Sequence, residues 1–322
     1  MLKKFLRAGL AALALASVAS PASAAYPERP ITLIVPFAPG GSTDLCARII
    51  AQKMSEILGQ QVVVENRGGA GGSLGAGVVA KADPDGYTIL YATVATQALN
   101  PALYKKISYD PIKDFTPISL LVNLPNVLTV NPKFEAKTVQ DLIDMAKKDP
   151  GKYSYASSGN GSPLHLSGEL FKKLAGVDLI HIPYKGSGPA LVDVIAVQVP
   201  IQFDNLPSSI EHIKAGRLRA LGVTTAQRVP NLPDVPAIGE TLKGYETYSW
   251  NALYGPANTP AEVVKRLHDA GVEAMKDEKV KQKLNDATAV IVGSSPEELA
   301  AFTKSEIEKW TPIVKESGAQ ID

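Results

Sequence analysis

The sequence predicts an α/β protein of two lobes, each a mainly parallel sheet flanked by helices. Short runs of β-branched residues alternate with helical segments from residue 31 onward, the order typical of parallel strands joined by crossover helices. Turns rich in glycine, serine and proline follow most of the predicted strands. Without a leader of 24 residues, 298 of the 322 residues remain, a length that suits two domains.

Residues 1–24 are predicted to form a secretory signal peptide. Three basic residues lie among the first seven positions, and the Ala/Leu-rich segment 8–19 is too short to span a bilayer. Ala22, Ser23 and Ala24 match the small-residue pattern of a cleavage site. We therefore expect cleavage after Ala24 and a mature protein outside the cytoplasm.

The charge balance and the few metal-binding residues argue against several classes of function. The 33 basic and 32 acidic side chains leave no excess of positive charge for binding nucleic acid. Cys46 is the only cysteine, and the four histidines never pair at metal-ligand spacing, so we expect neither a disulfide nor a metal. The G-x-G-x-x-A match at 75–80 lacks the preceding strand of a dinucleotide site, and we expect no cofactor.

The first predicted strand, residues 31–35, leads into a turn with the features of an anion site. Gly40 and Gly41 allow close approach of the backbone to a ligand, and three preferred N-cap residues follow, namely Ser42, Thr43 and Asp44. The N–H groups at a helix N-terminus attract anions. Because a carboxylate repels an anion, we expect Asp44 to cap the helix, to orient the N–H groups of the loop, or to hold a bridging water.

The elements that follow divide between the two predicted lobes. Strands are predicted at 61–65 and 87–92, with a glycine-rich loop at 66–77 that runs into a helix at 74–82. Two apolar runs within 115–130 are separated by Asn123, Leu124 and Pro125, where we expect the chain to cross into the second lobe. The predicted boundaries are 25–122 and 227–322 for the first lobe and 123–226 for the second.

The second lobe repeats the arrangement of a strand, a small-residue turn and a helix N-terminus. Strands at 153–156, 179–184 and 199–203 are followed by turns at 157–160, 185–188 and 204–205. Further strands are predicted at 219–224 and 248–254, with an extended return across the gap at 228–236. Capping boxes predict helices after Thr138, Thr259 and Ser295, and the last two helices should complete the first lobe.

Several side chains allow more than one interpretation. Ser157 or Ser158 with His165 could form a nucleophile and base, although the G-x-S-x-G pattern of serine hydrolases is absent. His165 follows Pro163 in the first helical turn and faces either the cleft or the lobe surface. The cations Lys185 and Arg48 fit a solvated surface at least as well as a binding role. The aromatic rings of Phe37 and Tyr184 could line the site or belong to the core.

Several segments together resemble one family. The segments are YPERPITLIVPFAPGGSTD, VVVENRGGAGG, DGYTIL, YASSGNGSPLHLSGELF and IPYKGSGPAL. The chain resembles the Bug-type periplasmic solute-binding receptors of tripartite tricarboxylate transporters. The resemblance implies a two-lobe periplasmic binding protein of type II, a Venus flytrap, that is a periplasmic monomer without catalytic activity. It also implies a small organic carboxylate as ligand and the membrane permease subunits as partner. The sequence does not distinguish a permease from a membrane sensor as the partner.

The resemblance also implies a set of ligand contacts. With His165 added from its place after Pro163, the predicted ligand-binding residues are Phe37, Gly41, Ser42, Thr43, Asp44, Thr93, Thr96, Gln97, Ser157, Ser158, Gly159, Asn160, His165, Tyr184, Lys185, Gly186 and Asp204. The family often has Ser-His where this chain has Thr96-Gln97, and it usually has glycine at the position of Val197. The identity of the ligand therefore cannot be copied from a relative.

Overall fold

The computed structural model describes residues 26–317 and shows a mixed α/β protein with a curled sheet. The predicted signal peptide and its cleavage site lie outside the described residues. The strands are β1 Ile31–Val35, β2 Val62–Asn66, β3 Thr88–Thr93, β4 Phe115–Val130, β5 Ser154–Ser157, β6 Ile180–Pro183, β7 Ile201–Asn205, β8 Arg219–Val223, β9 Tyr248–Pro256 and β10 Val290–Ile291. Within residues 26–317, no helix has both the length and the apolar character needed to cross a bilayer.

The helices follow the strands in the alternating order that the sequence predicts. They are α1 Ser42–Leu58, α2 Ser73–Val79, α3 Asn100–Leu103, α4 Val139–Lys148, α5 Pro163–Ala175, α6 Ser187–Ile195, α7 Leu206–Lys214, α8 Ile238–Thr241, α9 Ala261–Lys276, α10 Glu278–Asp286 and α11 Pro296–Ser317. A 3₁₀ turn at Ala70–Gly72 and a π turn at Ala95–Leu99 lie between them.

The sheet path runs β2-β1-β3-β9-β4-β7-β5-β6. In the first lobe, β1 pairs in parallel with β2 and β3, so that Leu33 lies between Val64 and Ile89. In the second lobe, β5 pairs in parallel with β6 and β7. Because the carboxyl ends of parallel strands lie at one edge of a sheet, the turns after β1, β5 and β7 are brought to the edges that border the cleft.

Strand β4 belongs to both lobes. From Phe115 to Pro125 it pairs with β9, and from Asn126 to Val130 it pairs with β7. The two predicted apolar runs are therefore one continuous strand. Pro125, which has no N–H to donate, stands at the position where the pairing passes from one partner to the other, and the strand tolerates it there.

Separate hydrophobic cores support the two lobes. In the first lobe, Leu33 packs with Leu267 of α9 on one sheet face, and Leu90 packs with Trp250 on the other. In the second lobe, Phe171 of α5 packs against Phe203 of β7, with ring centroids 5.8 Å apart. Each sheet is thus covered on both faces, as its apolar strands predict.

The segment after β8 packs mainly against the second lobe. The Val223 N–H donates to the Pro236 carbonyl at 2.9 Å. Val229 and Ala237 pack with Val127 and Leu206 in one apolar cluster. Asn231 Nδ2, in the same segment, donates to the carbonyl of Asn285 in α10 of the first lobe at 2.9 Å. The segment therefore contacts both lobes, and the return across the gap at 228–236 stays a prediction.

Two of the three predicted capping boxes are confirmed. Thr138 with Asp141, and Ser295 with Glu298, exchange reciprocal hydrogen bonds between side chain and backbone. The box at Thr259 is wrong, because its hydroxyl donates to the Pro256 carbonyl at 2.7 Å instead. The cap of α9 is Pro260, which has no side-chain hydrogen bond to the helix.

Candidate functional site

A small cavity lies between the two lobes at the point where their strand ends meet. Its volume is about 20 Å³, which holds about one water molecule. None of the side chains around it is charged. They come from the turn after β1, the end of β3, three turns of the second lobe and the middle of β9, and they are Phe37, Ala38, Gly41, Ser42, Thr43, Thr93, Ser158, Pro163, Ser187, Asn205, Ser249 and Asn251.

The turn after β1 presents the N-terminus of α1 to this cavity. Gly40 has φ +86°, a left-handed conformation that favours glycine, and the extended Gly41 is the N-cap. The prediction that Ser42, Thr43 or Asp44 caps the helix is wrong, because the helix already begins at Ser42. As Gly41 has no side chain to cap the first turn, the positive end of the helix dipole faces the cavity.

Asp44 lies behind the turn and organises it. Its Oδ2 accepts a hydrogen bond from the Gly40 N–H at 3.1 Å. Its Oδ1 accepts from Arg48 Nε and from Asn66 Nδ2, both at 3.0 Å. Burial raises the pKa of Asp44, but the bonds from Arg48, Gly40 and Asn66 outweigh it, so the pKa is lowered. Of the three roles that the sequence left open, orientation of the loop is the one these bonds establish.

The turn after β3 brings one of its predicted residues to the cavity. Thr93 lines it, beside Phe37. The Thr96 hydroxyl turns back and donates to the Thr93 carbonyl at 3.0 Å. Gln97 is fully buried, and neither Thr96 nor Gln97 lines the cavity. Thr96 and Gln97, where this chain differs from the family pattern, therefore lie behind the surface that faces the cleft.

Two helices of the second lobe also begin at the cavity without a capping side chain. The N-cap of α6 is Gly186, and the next residue, Ser187, lines the cavity. The N-cap of α7 is Asn205, whose amide does not cap its own helix. Instead, Asn205 Oδ1 accepts a hydrogen bond from the Ser42 hydroxyl at 2.8 Å, and Asn205 Nδ2 donates to Ser249 Oγ at 2.8 Å. Three uncapped helix N-termini thus meet at one cavity.

Asp204, which the resemblance implied as a contact, does not line the cavity. Its side chain is fully buried, and its Oδ2 accepts hydrogen bonds from the hydroxyls of Ser208 and Ser209, both at 2.6 Å. Burial raises the pKa of Asp204, and the hydroxyl groups around it oppose the shift. Its neighbour Asn205 lines the cavity in its place, because successive residues of β7 face opposite sides of the sheet.

The predicted pairing of a serine with His165 does not form. Ser157 Oγ lies 2.7 Å from Nε2 of His181, a residue that the sequence did not single out. His165 instead stacks on His181, with ring centroids 4.0 Å apart. Ser158 lines the cavity, whereas Ser157 is fully buried and does not.

The remaining predicted residues surround a second cavity of about 300 Å³ at the outer side of the first. The two cavities share Phe37 and Ser158. The outer one adds Gly159, Asn160, Tyr184 and Lys185 of the second lobe, and Gly69–Gly72 and Tyr104 of the first. Lys185 is exposed and supplies the only cation in the linings of these two cavities.

The two lobes touch each other around the cavities, so the cleft is closed. The Ala38 N–H donates to the Lys185 carbonyl at 2.9 Å. The Tyr104 hydroxyl donates to the Asn160 carbonyl at 3.2 Å. Gly186 approaches Ala38 so closely that a Cβ there would lie 3.0 Å from the Ala38 nitrogen.

Sequence reasoning missed Ser249 and Asn251, both on β9. Polar residues at alternate positions of an otherwise apolar strand are a period-2 pattern, which places them on one face. Trp250 between them points into the core. Asn251 Oδ1 is buried and has no hydrogen-bond partner among the described residues. The pattern was visible in the sequence, but only the register of β9 shows that this face borders the cavity.

Comparison with known proteins identifies the family. Residues 46–319 match the model of the tripartite tricarboxylate transporter family receptor. The solved periplasmic binding protein BugD is 37% identical, with a TM-score of 0.89 over 92% of this chain and 99% of that one. An R. palustris protein solved with adipate is 40% identical, with a TM-score of 0.88 over 91% and 98% of the two chains.

A third similar structure also contains a small carboxylate. MatC from Rhodopseudomonas palustris, solved with bound malate, is 34% identical, with a TM-score of 0.86 over 90% of this chain and 100% of that one. The prediction of a two-lobe periplasmic binding protein fold is confirmed by these likenesses. The chain belongs to the tripartite tricarboxylate transporter receptor family, as a periplasmic solute-binding protein of the Bug type.

Proposed function

We propose that this protein captures a small organic carboxylate between its two lobes and delivers it to the permease of a tripartite tricarboxylate transporter. The observation that carries the proposal is the meeting of three uncapped helix N-termini, those of α1, α6 and α7, at one cavity. Each presents partial positive charge and N–H donors to an anion. One comes from the first lobe and two from the second, so an anion between them would hold both lobes.

The chemistry of the lining supports a carboxylate. The inner cavity offers hydroxyl and amide groups and a phenyl ring, namely those of Ser42, Thr43, Ser158, Asn205 and Phe37. The hydroxyl and amide groups can donate hydrogen bonds to carboxylate oxygens, and this requires no positively charged side chain. Adipate and malate, which accompany two of the similar structures, both end in carboxylates.

We assign the predicted ligand-binding residues to three groups by their position. Direct contacts are proposed for those that line the inner cavity, Phe37, Gly41, Ser42, Thr43, Thr93 and Ser158. Residues of the outer cavity would meet the distal end of a longer ligand, and these are Gly159, Asn160, Tyr184 and Lys185. The others would support the site from behind, and these are Asp44, Thr96, Gln97, Ser157, His165, Gly186 and Asp204.

Closure requires a hinge, and we place it at β4 and β9. The proposed boundaries are 125/126 and 247/248, in place of the predicted 122/123 and 226/227. In support, Asn126 is the first residue of β4 to pair with β7. The Thr224 N–H donates to the Asn126 carbonyl at 3.0 Å, and the Thr247 N–H donates to the Thr224 carbonyl at 2.9 Å. Tyr245 still packs in the core of the second lobe.

The cellular setting follows from the same proposal. The chain would be exported through its signal peptide, cleaved after Ala24, and act in the periplasm as a monomer without enzymatic activity. A ligand that contacts both lobes stabilises the closed state by its differential affinity for that state. The permease would then recognise the closed form.

A thermal-shift screen on residues 25–322 tests the ligand class. Adipate and malate are compared with their diamides, which keep the chain length and remove both charges. At a concentration one hundred times Kd, a ligand of the folded state adds about 2.7 kcal/mol of stability. We expect at least one carboxylate to raise Tm by several degrees and its diamide to leave Tm unchanged. Equal shifts from acid and diamide, or none from any carboxylate in a wider panel, would refute the proposal.

A further inference from the structure

Two histidines stack beneath the turn that carries Ser158. His165 of α5 and His181 of β6 lie with ring centroids 4.0 Å apart and an interplanar angle of 15°. Tyr155 stacks on His181 at 5.0 Å. His165 is 8% exposed, so this ring is enclosed by the lobe rather than presented to the cleft.

The two rings reach opposite ends of the turn at 157–161. His181 Nε2 lies 2.7 Å from Ser157 Oγ, and Ser157 Oγ accepts a hydrogen bond from the Gly159 N–H at 3.1 Å. His165 Nδ1 accepts from the Gly161 N–H at 3.2 Å. Both ends of the turn are therefore tied to the histidine pair.

We propose that His165 and His181 act together as positioning residues that hold the 157–161 turn in its binding conformation. They place Ser158 against the inner cavity and the Asn160 carbonyl within reach of the Tyr104 hydroxyl of the other lobe. The proposal rests on the proposed function, because the turn is assigned there to the ligand site.

The turn needs such support because of its own composition. Gly159 has φ +131° and Gly161 has φ +76°, and glycine has no intrinsic preference for these values over others. Without external hydrogen bonds, the segment Ser157–Ser162 would sample many conformations. Bonds at Gly159 and Gly161 fix the two most flexible positions.

The pair is suited to positioning rather than to catalysis. Ser157 is fully buried and does not line either cavity, so its hydroxyl has no access to a substrate. The N–H of Gly161 requires an unprotonated Nδ1 on His165, which leaves the proton on Nε2. Nε2 faces Glu169 Oε1 at 3.9 Å, and Glu169 also accepts a hydrogen bond from the Tyr155 hydroxyl.

Burial keeps both rings neutral. Burial lowers the pKa of His165 to about 4. The negative charge of Glu169 opposes this shift, and the positive charge of Lys172 adds to it. Burial lowers the pKa of His181 to about 3, helped by the repulsion of His165 and Lys172. A neutral His165 is the form that the hydrogen bond from the Gly161 N–H needs, and both rings stay neutral throughout the neutral pH range.

Amide hydrogen exchange on the whole mature chain tests the proposal without a ligand. Ser157→Ala replaces a hydroxyl by hydrogen, a change small enough for the protein to fold. His165→Phe and His181→Phe keep a ring for stacking. In His181→Gln, the side-chain amide can still reach Ser157 Oγ. His268→Phe on α9 is the matched control, since it lies outside the pair. A second measurement is the calorimetric affinity for adipate and malate.

Each variant has a distinct expected result. Ser157→Ala and His181→Phe should speed exchange at Gly159 by about two- to tenfold, the worth of one hydrogen bond, and His165→Phe should do so at Gly161. His181→Gln should restore protection at Gly159, and His268→Phe should change neither amide. Where adipate or malate binds the parent protein, affinity should fall together with protection.

Two results would overturn the proposal. One is unchanged exchange at Gly159 and Gly161 in all variants, which would show that the histidines do not hold the turn. The other is lost protection with unchanged affinity, which would show that the turn need not be held for binding. If neither compound binds the parent protein, the proposed function is in question for those ligands, while the exchange pattern still decides whether the pair holds the turn.

Discussion

Gly188, in the first turn of α6, lies against Pro39 of the opposite lobe so closely that a Cβ on Gly188 would overlap the Pro39 carbonyl oxygen. The φ of Gly188 is not positive, so alanine suits its own helix. The overlap therefore exists only when the lobes are closed. The addition of a single methyl group at Gly188 should therefore oppose closure, which makes closure testable by one substitution.

We expect Gly188→Ala to weaken carboxylate binding about tenfold or more, because closure around the ligand is opposed by the clash. The Tm of the free protein should stay unchanged or rise, since alanine stabilises a helix by about 0.5–1 kcal/mol relative to glycine. Calorimetry with the carboxylate found in the thermal screen measures the first effect, and small-angle scattering measures the degree of closure.

The control for this change is Gly271→Ala in α9. A Cβ there would lie 3.4 Å from Leu253 and 3.5 Å from Leu121, which are ordinary contacts within the first lobe. It should leave affinity unchanged. Wild-type affinity in Gly188→Ala would mean that the ligand binds without this degree of closure.

Removal of the Asp44 carboxylate should disorder the turn after β1. Asp44→Ala deletes the hydrogen bonds to the Gly40 N–H, Arg48 and Asn66. We expect a five- to tenfold loss of affinity, about 1–1.4 kcal/mol, with the circular dichroism spectrum retained. Asp269→Ala on α9, which removes an exposed carboxylate, is the control. Binding that survives Asp44→Ala unchanged would refute the organising role.

The pH dependence of this contribution has a definite sign. The folded pKa of Asp44 is below its ordinary value of 3.8, so the unfolded chain takes up a proton first as the pH falls. The stabilisation by the carboxylate is complete above pH 3.8 and is lost as the pH falls through the folded pKa. The difference in Tm between the parent protein and Asp44→Ala should be constant from pH 5 to 8 and shrink towards pH 2. If the difference in Tm grew on acidification, the folded pKa of Asp44 would be raised rather than lowered.

The Ser42 hydroxyl donates to Asn205 across the lobes, and a double-mutant cycle can measure that link. Ser42→Ala alone should weaken binding about two- to tenfold. Asn205→Ala should cost more, because it also removes the bond to Ser249. The double variant should lose less affinity than the sum of the single losses, since both changes break one shared bond. Strict additivity would show that Ser42 acts only through the ligand.

Local sequence signals were sufficient to predict much of the fold. The turn after β1 was recognisable because two prolines and then Gly40 and Gly41 follow an apolar strand within six residues. The cap at Ser295 was recognisable because its partner Glu298 is three residues away. These features depend on neighbouring residues alone. Thr259 shows the limit, since its hydroxyl has a carbonyl of the preceding strand within reach and prefers it.

The side chains that face the cavity depend on register between distant strands. Asp204 was the predicted contact, whereas its neighbour Asn205 lines the cavity. The two differ by one position, and a shift of one position moves a side chain to the other face of a strand. The pairing of β7 with β4 decides which of them points to the cleft. His181 was missed for the same reason, because its partner Ser157 is on the adjacent strand β5.

The histidine pair should make stability depend on pH in a second window. The folded pKa values, about 4 for His165 and about 3 for His181, lie below the ordinary value of 6.5. Between pH 6.5 and 4 the unfolded chain therefore binds more protons than the folded one, and stability falls as the pH falls. Over this window the loss is on the order of 3 kcal/mol for each histidine, since one pKa unit corresponds to about 1.4 kcal/mol.

The double variant with both histidines changed to phenylalanine should have a flatter curve of Tm against pH between 4 and 6.5. Neighbouring charges, Glu169 and Lys172, remain in the variant, so the change in slope reports the two rings themselves. Parallel curves for the double variant and the parent would show that the folded and unfolded chains protonate these histidines alike, and would exclude burial as the reason that both rings stay neutral.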